Sequence, residues 1–119
     1  MSQLLFPKQK IKKTRHKHGK SILQQRDGTC YLCMRLNKDR IMHSYLECHH
    51  IFGGGLRRIS EAEGLKVYLC AEHHRTGPEA VHRNADMAGL LKQDAQRAYE
   101  ALHGHQEFMR LIGRNYLEE

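Results

Sequence analysis

The chain contains no apolar run of about 18 residues, the length a membrane-spanning helix demands. Its first residues lack the apolar stretch of a secretory signal peptide. Both absences argue for a protein kept inside a cell, and a cytoplasmic location is expected. Cysteine is sparse, at four residues. Thiols stay reduced in that compartment, so Cys30, Cys33, Cys48 and Cys70 read as metal ligands or free thiols before they read as two disulfides. No acidic side chain precedes Asp27, whereas the same stretch holds eight basic ones: Lys8, Lys10, Lys12, Lys13, Arg15, Lys17, Lys20 and Arg26. The remainder carries 12 Lys and Arg against 13 Asp and Glu, so all of the excess in the formal charge of +7 lies in this arm. A concentrated basic arm suits a polyphosphate partner, because neutralising phosphates releases condensed counterions. Its plainer reading is a solubilising tail. A membrane surface fits less well, since Lys8–Lys20 has no amphipathic apolar face.

A length of 119 residues bounds the chain to one domain, or one domain with a tail. A core of that size is limited, which makes a metal staple a natural supplement. No internal repeat is visible. Residues 1–20 read as a flexible basic arm. Ser21 with Gln24 fits a capping box and Gly28 a stop, which predicts a short helix over about 22–27. The segment Cys30-Tyr-Leu-Cys33 reads as a tight turn, and 34–44 has no firm period. Tyr45, Leu46, Ile51 and Phe52 suggest a first strand, and the alternation of Leu65, Val67 and Leu69 a second, with residues 53–64 as the loop of a hairpin. The stretch from Cys70 reads as the first turns of a helix that ends near Gly77. Asn84 is a candidate cap for a long helix whose apolar stripe is Met87, Leu90, Leu91, Ala95, Ala98 and Leu102, stopped by Gly104. A last helix carries Phe108, Leu111 and Ile112. The expected class is α+β, with a core domain over 21–83 and C-terminal helices over 84–119 packing on it.

Two spaced pairs carry the first chemical signal. Cys30 and Cys33 form C-x-x-C, and Cys70 and His73 form C-x-x-H forty residues on. Together they offer four ligands, the number a structural zinc prefers. Two intervening residues let a turn, or the start of a helix, aim both side chains at one point. Cys48 is a rival fourth ligand. Buried free thiols are the plainer reading. A redox pair would call for a thioredoxin-like pattern that is absent.

The second signal is Glu47-Cys-His-His-Ile-Phe-Gly-Gly-Gly55. Adjacent imidazoles repel when charged and are awkward to bury, so His49 and His50 ask for a use. His74 follows His73, and His82 lies shortly beyond. If the hairpin packs on the helix that Cys70 opens, His49, His50 and His74 converge at one cleft. Ideal strand geometry would turn His49 and His50 to opposite faces, so convergence requires an irregular backbone there. The glycines after Phe52 are no phosphate loop, because the Lys-Ser/Thr and helix that follow one are missing.

C-x-x-C, then His49-His50-Ile51 on a strand, then Leu69-Cys-Ala-Glu-His-His74, resembles the HNH endonucleases of the ββα-metal, treble-clef-like fold. The likeness spans roughly residues 22–83 and is similar above all to small HNH proteins of phages and prophages, which would place the protein in a bacterial host cell. Carried over by position, the resemblance implies His50 as general base, His49 as first ligand of a catalytic ion and His74 as the final metal-binding histidine. His82 would be a third ligand or a phosphate contact. It implies DNA as partner, a structural zinc ion, a catalytic divalent ion, and products with 5′-phosphate and 3′-hydroxyl ends. An all-imidazole site favours Mn²⁺, Ni²⁺, Co²⁺ or Zn²⁺ over Mg²⁺ on softness, and family habit allows Mg²⁺. Members often carry Asn at the start of the second strand to orient the base. This chain has Gly64, Leu65 and Lys66 there, so a backbone carbonyl or another residue must do that work. Lys12, Lys13, Arg15, Lys17, Arg57 and Arg58 are the candidate nucleic-acid contacts. Glu47 either orients a histidine or faces solvent. The competing expectations are a non-catalytic zinc-stapled nucleic-acid-binding module and a phage accessory or anti-defence factor on the same scaffold.

Overall fold

The computed structural model describes residues 17–117. The architecture is α+β. Two short strands, β1 (Glu47–His50) and β2 (Lys66–Leu69), form an antiparallel sheet, and helices α1 (Tyr31–Asn37), α2 (Arg57–Glu63), α3 (Ala85–His103) and α4 (His105–Ile112) surround it. The register pairs Glu47 with Leu69, Cys48 with Tyr68, His49 with Val67 and His50 with Lys66. Leu65, Val67 and Leu69 are fully buried, as their alternation demands. Each contributes about 1.5–3 kcal/mol on leaving water. They join Leu32 of α1, Ile51, Phe52, Leu91 and Ala95 of α3, and Phe108 and Ile112 of α4 in one apolar cluster. Phe52 anchors it, with its ring 5.9 Å from that of Phe108 and 5.5 Å from that of Tyr116.

Four expectations are corrected. No helix forms over 22–27. Ser21 and Gln24 instead satisfy the outer edge of β2: the Ser21 hydroxyl donates to the Lys66 carbonyl, and the Gln24 carbonyl oxygen accepts from the Tyr68 amide. An edge strand with buried neighbours needs such partners for its backbone groups, and this need outweighs the local capping pattern. The Cys30–Cys33 turn is the start of α1, with Cys30 as its cap accepting from the Cys33 amide. The segment 53–64 is not a simple loop. After a 3₁₀ turn at Gly54–Leu56 it forms α2, pinned by the buried Ser60 hydroxyl, which donates to the Phe52 carbonyl and accepts from the Phe52 amide. Finally, Leu102 is 64% exposed, and Tyr99, 3% exposed, closes the α3 stripe instead.

Gly64 ends α2 with φ 76°, and a Cβ there would lie 2.0 Å from the Lys20 carbonyl oxygen. The left-handed turn and the close passage of residues 19–22 both require glycine at this point. The base of the basic arm is thereby held against α2 and β2, through Gly19 N–H to the Glu61 carbonyl and Ile22 N–H to the Gly64 carbonyl. At the other end of the sheet the chain enters a π-helical turn, Glu72–Thr76, in which His73 and His74 are both buried. Asn84 caps α3 as expected, its side-chain oxygen accepting from the amides of Asp86 and Met87.

Candidate metal centres and the neighbouring cleft

Cys30, Cys33, Cys70 and His73 lie together, all buried. The His73 Nδ1 atom is 3.6, 3.4 and 3.5 Å from the sulfurs of Cys30, Cys33 and Cys70, and the Cys33 and Cys70 sulfurs are 3.9 Å apart. An ion at tetrahedral angles, with metal–sulfur bonds of about 2.3 Å and metal–nitrogen bonds of about 2.05 Å, sets sulfur–nitrogen separations near 3.55 Å and sulfur–sulfur separations near 3.75 Å. The four residues therefore fit a metal such as zinc, with His73 ligating through Nδ1. Burial, together with the neighbouring sulfurs, pushes the Cys33 and Cys70 thiols up in the absence of an ion. A bound cation would reverse that preference. His43 Nε2 stands 3.9 Å from the Cys33 sulfur, an outer neighbour that the sequence did not suggest. Cys48 is exposed and stands outside the group.

A second group forms from His49, His74 and His82, whose nitrogens lie within 4.8 Å of one another. The three rings sit edge to face or tilted, with centroids 4.6 to 5.3 Å apart. Glu47, on the same face of β1 as His49, accepts from His74 Nδ1 and also from Arg75 and Tyr45. These bonds, that from His74 foremost, hold its carboxyl down at about 2. With its proton on Nδ1, His74 presents Nε2 to His82, and the two Nε2 atoms are 3.0 Å apart. Two lone pairs meeting at that distance repel unless a proton or a cation lies between them. Two nitrogens on one tetrahedral ion would sit about 3.3 Å apart, so a small relaxation admits one. Burial and the neighbouring His74 and His82 lower the His49 pKa to about 4, which keeps its lone pair open at neutral pH. Burial, then His74, lowers His82 as well. The carboxylate-to-imidazole bond from Glu47 is the kind of outer support that fixes a metal-binding ring. Of its two expected roles, Glu47 has the orienting one.

His50 does not share this site, so the single cleft expected for His49, His50 and His74 does not form. Pairing across β1 is continuous, and the ordinary pleat turns His50 away from His49. Its Nε2 donates to the Glu61 carboxylate at 2.7 Å. The same carboxylate accepts from His18 Nδ1 at 2.8 Å and from Lys66 Nζ at 3.0 Å. Those donors, His50 foremost, hold Glu61 down at about 2. His50 instead lines an open cleft of about 900 Å³ with Lys17, His18, Gly54, Gly55, Arg57, Arg58 and Glu61. Arg57 and Arg58 are exposed in the first turn of α2, and Lys17 is exposed where the arm enters. Lys12, Lys13 and Arg15 lie outside the described residues.

Glu61 was missed because it sits in the segment read as loop. The helical spacing of Leu56, Ile59 and Ser60 could have shown α2, but it does not single out Glu61, which lies off that face. His18 was missed because nothing in the arm's composition marks where it docks.

No family model matches the chain, and no curated protein or solved structure matches it either.

Proposed function

We propose that this protein is a divalent-metal-dependent endonuclease of the HNH type, built on a zinc-stapled ββα-metal core, that hydrolyses phosphodiester bonds in DNA. The observation that carries the reading is the three-imidazole group of His49, His74 and His82, placed one residue from His50 and beside a cluster that fits zinc. A structural zinc site spends four protein ligands. A group of only three, backed by Glu47, leaves room for an oxygen of the substrate.

In this reading His49, His74 and His82 hold the catalytic ion, Mg²⁺, Mn²⁺ or Ni²⁺, which supplies Lewis-acid stabilisation of charge on the phosphate and the leaving oxygen. His50 acts as general base towards the attacking water, a task imidazole side chains commonly perform. In-line displacement puts the attacking and leaving oxygens on opposite sides of phosphorus. A base on one face of the strand end and an ion-binding group on the other suits a phosphate seated across that end. Lys17, Arg57 and Arg58 in the cleft, and Lys12, Lys13 and Arg15 in the arm, contact the DNA backbone and add affinity without sequence selectivity.

The test is nicking of a supercoiled plasmid in Mg²⁺, Mn²⁺ or Ni²⁺ by wild type and by His50→Ala. The reading expects nicking by wild type, its loss in the variant by about 100-fold or more, and DNA binding retained in both. Equal binding with no cleavage by either protein would replace it with the non-catalytic nucleic-acid-binding module. No affinity for DNA would point to the accessory-factor reading.

A further inference from the structure

The Asn that HNH proteins often use to orient the base has no counterpart at Gly64–Lys66, yet His50 is firmly held. Its Nε2 meets Glu61 Oε1 at 2.7 Å. The other carboxylate oxygen is taken by Lys66 Nζ at 3.0 Å and by His18 Nδ1 at 2.8 Å. Both oxygens are thus committed and the carboxylate cannot swing. Lys66 is the strand partner of His50, and its side chain is 8% exposed. The backbone behind Glu61 is fixed too, since Ser60 is bonded to Phe52 on both sides and Gly64 closes the helix. An ionised carboxylate only accepts hydrogen bonds, so the hydrogen between it and a neutral His50 must sit on Nε2. Among the described residues no hydrogen bond reaches His50 Nδ1.

We infer that Glu61 is the positioning residue for His50, holding its ring as the Nε2–H tautomer and leaving Nδ1 as the nitrogen that accepts a proton. The second half rests on the nuclease reading. In that reaction the O–H bond of water breaks and its proton passes to Nδ1. The water oxygen forms the new bond to phosphorus, and the 3′-oxygen leaves and takes a proton from solvent. Glu61 touches neither water nor phosphate and acts only through His50.

A purely structural reading of Glu61 is that it neutralises buried Lys66, and Glu61→Ala alone would leave that cation unpaired. The test therefore compares Lys66→Met with Lys66→Met/Glu61→Ala in the full zinc-loaded chain, with zinc content measured for both. Ring nitrogens of ¹⁵N-labelled histidine are read by long-range proton–nitrogen correlation at about pH 8.5, well above the ordinary imidazole pKa of about 6.5. His50→Gln identifies the signals. The Lys66→Met protein should show His50 protonated at Nε2, and the double variant should show the two tautomers mixed. Nicking should fall on the order of 10- to 100-fold between the two at DNA concentrations that saturate both proteins, part of what a general base provides. An unchanged ring-nitrogen pattern, or equal nicking by both proteins, would overturn the inference. If wild type fails to nick with every metal, the nuclease reading and the role of Nδ1 fall together. The tautomer pattern then still decides whether Glu61 fixes His50.

Discussion

Removing the metal from the Cys30, Cys33, Cys70 and His73 group should unfold the domain. The sheet has two four-residue strands, and a two-stranded sheet does not stand alone. The cysteine group joins the start of α1, the end of β2 and the π-helical turn, and its three thiols are themselves part of the apolar cluster. Structural zinc contributes on the order of 10–16 kcal/mol of apparent binding free energy in small zinc folds. The net stability of a domain is about 5–15 kcal/mol. Loss of the ion thus costs as much as or more than the whole margin. The assay is a thermal melt followed by circular dichroism, before and after a strong chelator, with zinc measured by elemental analysis. The expected result is a cooperative melt that disappears with the metal and returns on adding Zn²⁺. Cys70→Ala should behave like chelated wild type. Cys48→Ala should leave zinc content and midpoint unchanged, because Cys48 is exposed and outside the group. A midpoint indifferent to chelation, with removal of the metal verified, would rule out the staple.

Deleting residues 1–16 removes Lys8, Lys10, Lys12, Lys13 and Arg15 while keeping the segment that covers β2. DNA affinity should fall, and the slope of log K against log salt should flatten by up to about 4.5, at about 0.9 for each phosphate no longer neutralised. An unchanged slope would exclude the arm as a phosphate-binding element. Glu47→Ala should weaken Mn²⁺ or Ni²⁺ binding to the zinc-loaded protein by about 10- to 100-fold in isothermal titration, since His74 loses its orienting acceptor. His49 has a folded pKa of about 4 in the metal-free imidazole group, below its ordinary 6.5. Between those values the unfolded chain binds the extra proton, so stability falls as pH drops from 6.5 towards 4. His49→Gln should reduce that acid-side loss in denaturant melts, compared at pH values where zinc content is unchanged. Identical slopes for both proteins would contradict it.

Much of the fold was legible where periodicity and capping agree with packing. Leu65, Val67 and Leu69 alternate and are buried; Asn84 caps and Gly104 stops the long helix. The spacings of Cys30, Cys33, Cys70 and His73 pointed to a group that the fold brings together, whereas the grouping of His49, His74 and His82 was implied only by the resemblance to HNH proteins. What the sequence hid depends on contacts between distant segments. Ser21 and Gln24 look like a capping box until the free edge of β2 competes for their side chains. The α2 helix is too short, at seven residues, to persist by propensity. It exists because Ser60 and Ile59 pack on the strand connection. The separation of His49 from His50 was foreseeable, because strand alternation already opposed a shared cleft. The Glu61 contact was not, since it needs α2, β2 and the arm to meet.

The most direct measurement is anomalous diffraction from crystals of the zinc-loaded protein grown with Mn²⁺ or Ni²⁺. Two metal peaks are expected. One is zinc among Cys30, Cys33, Cys70 and His73, and the other is the added ion bound by His49, His74 and His82. A protein that holds zinc in the first place and no ion between the three imidazoles at saturating concentration would contradict the two-ion reading.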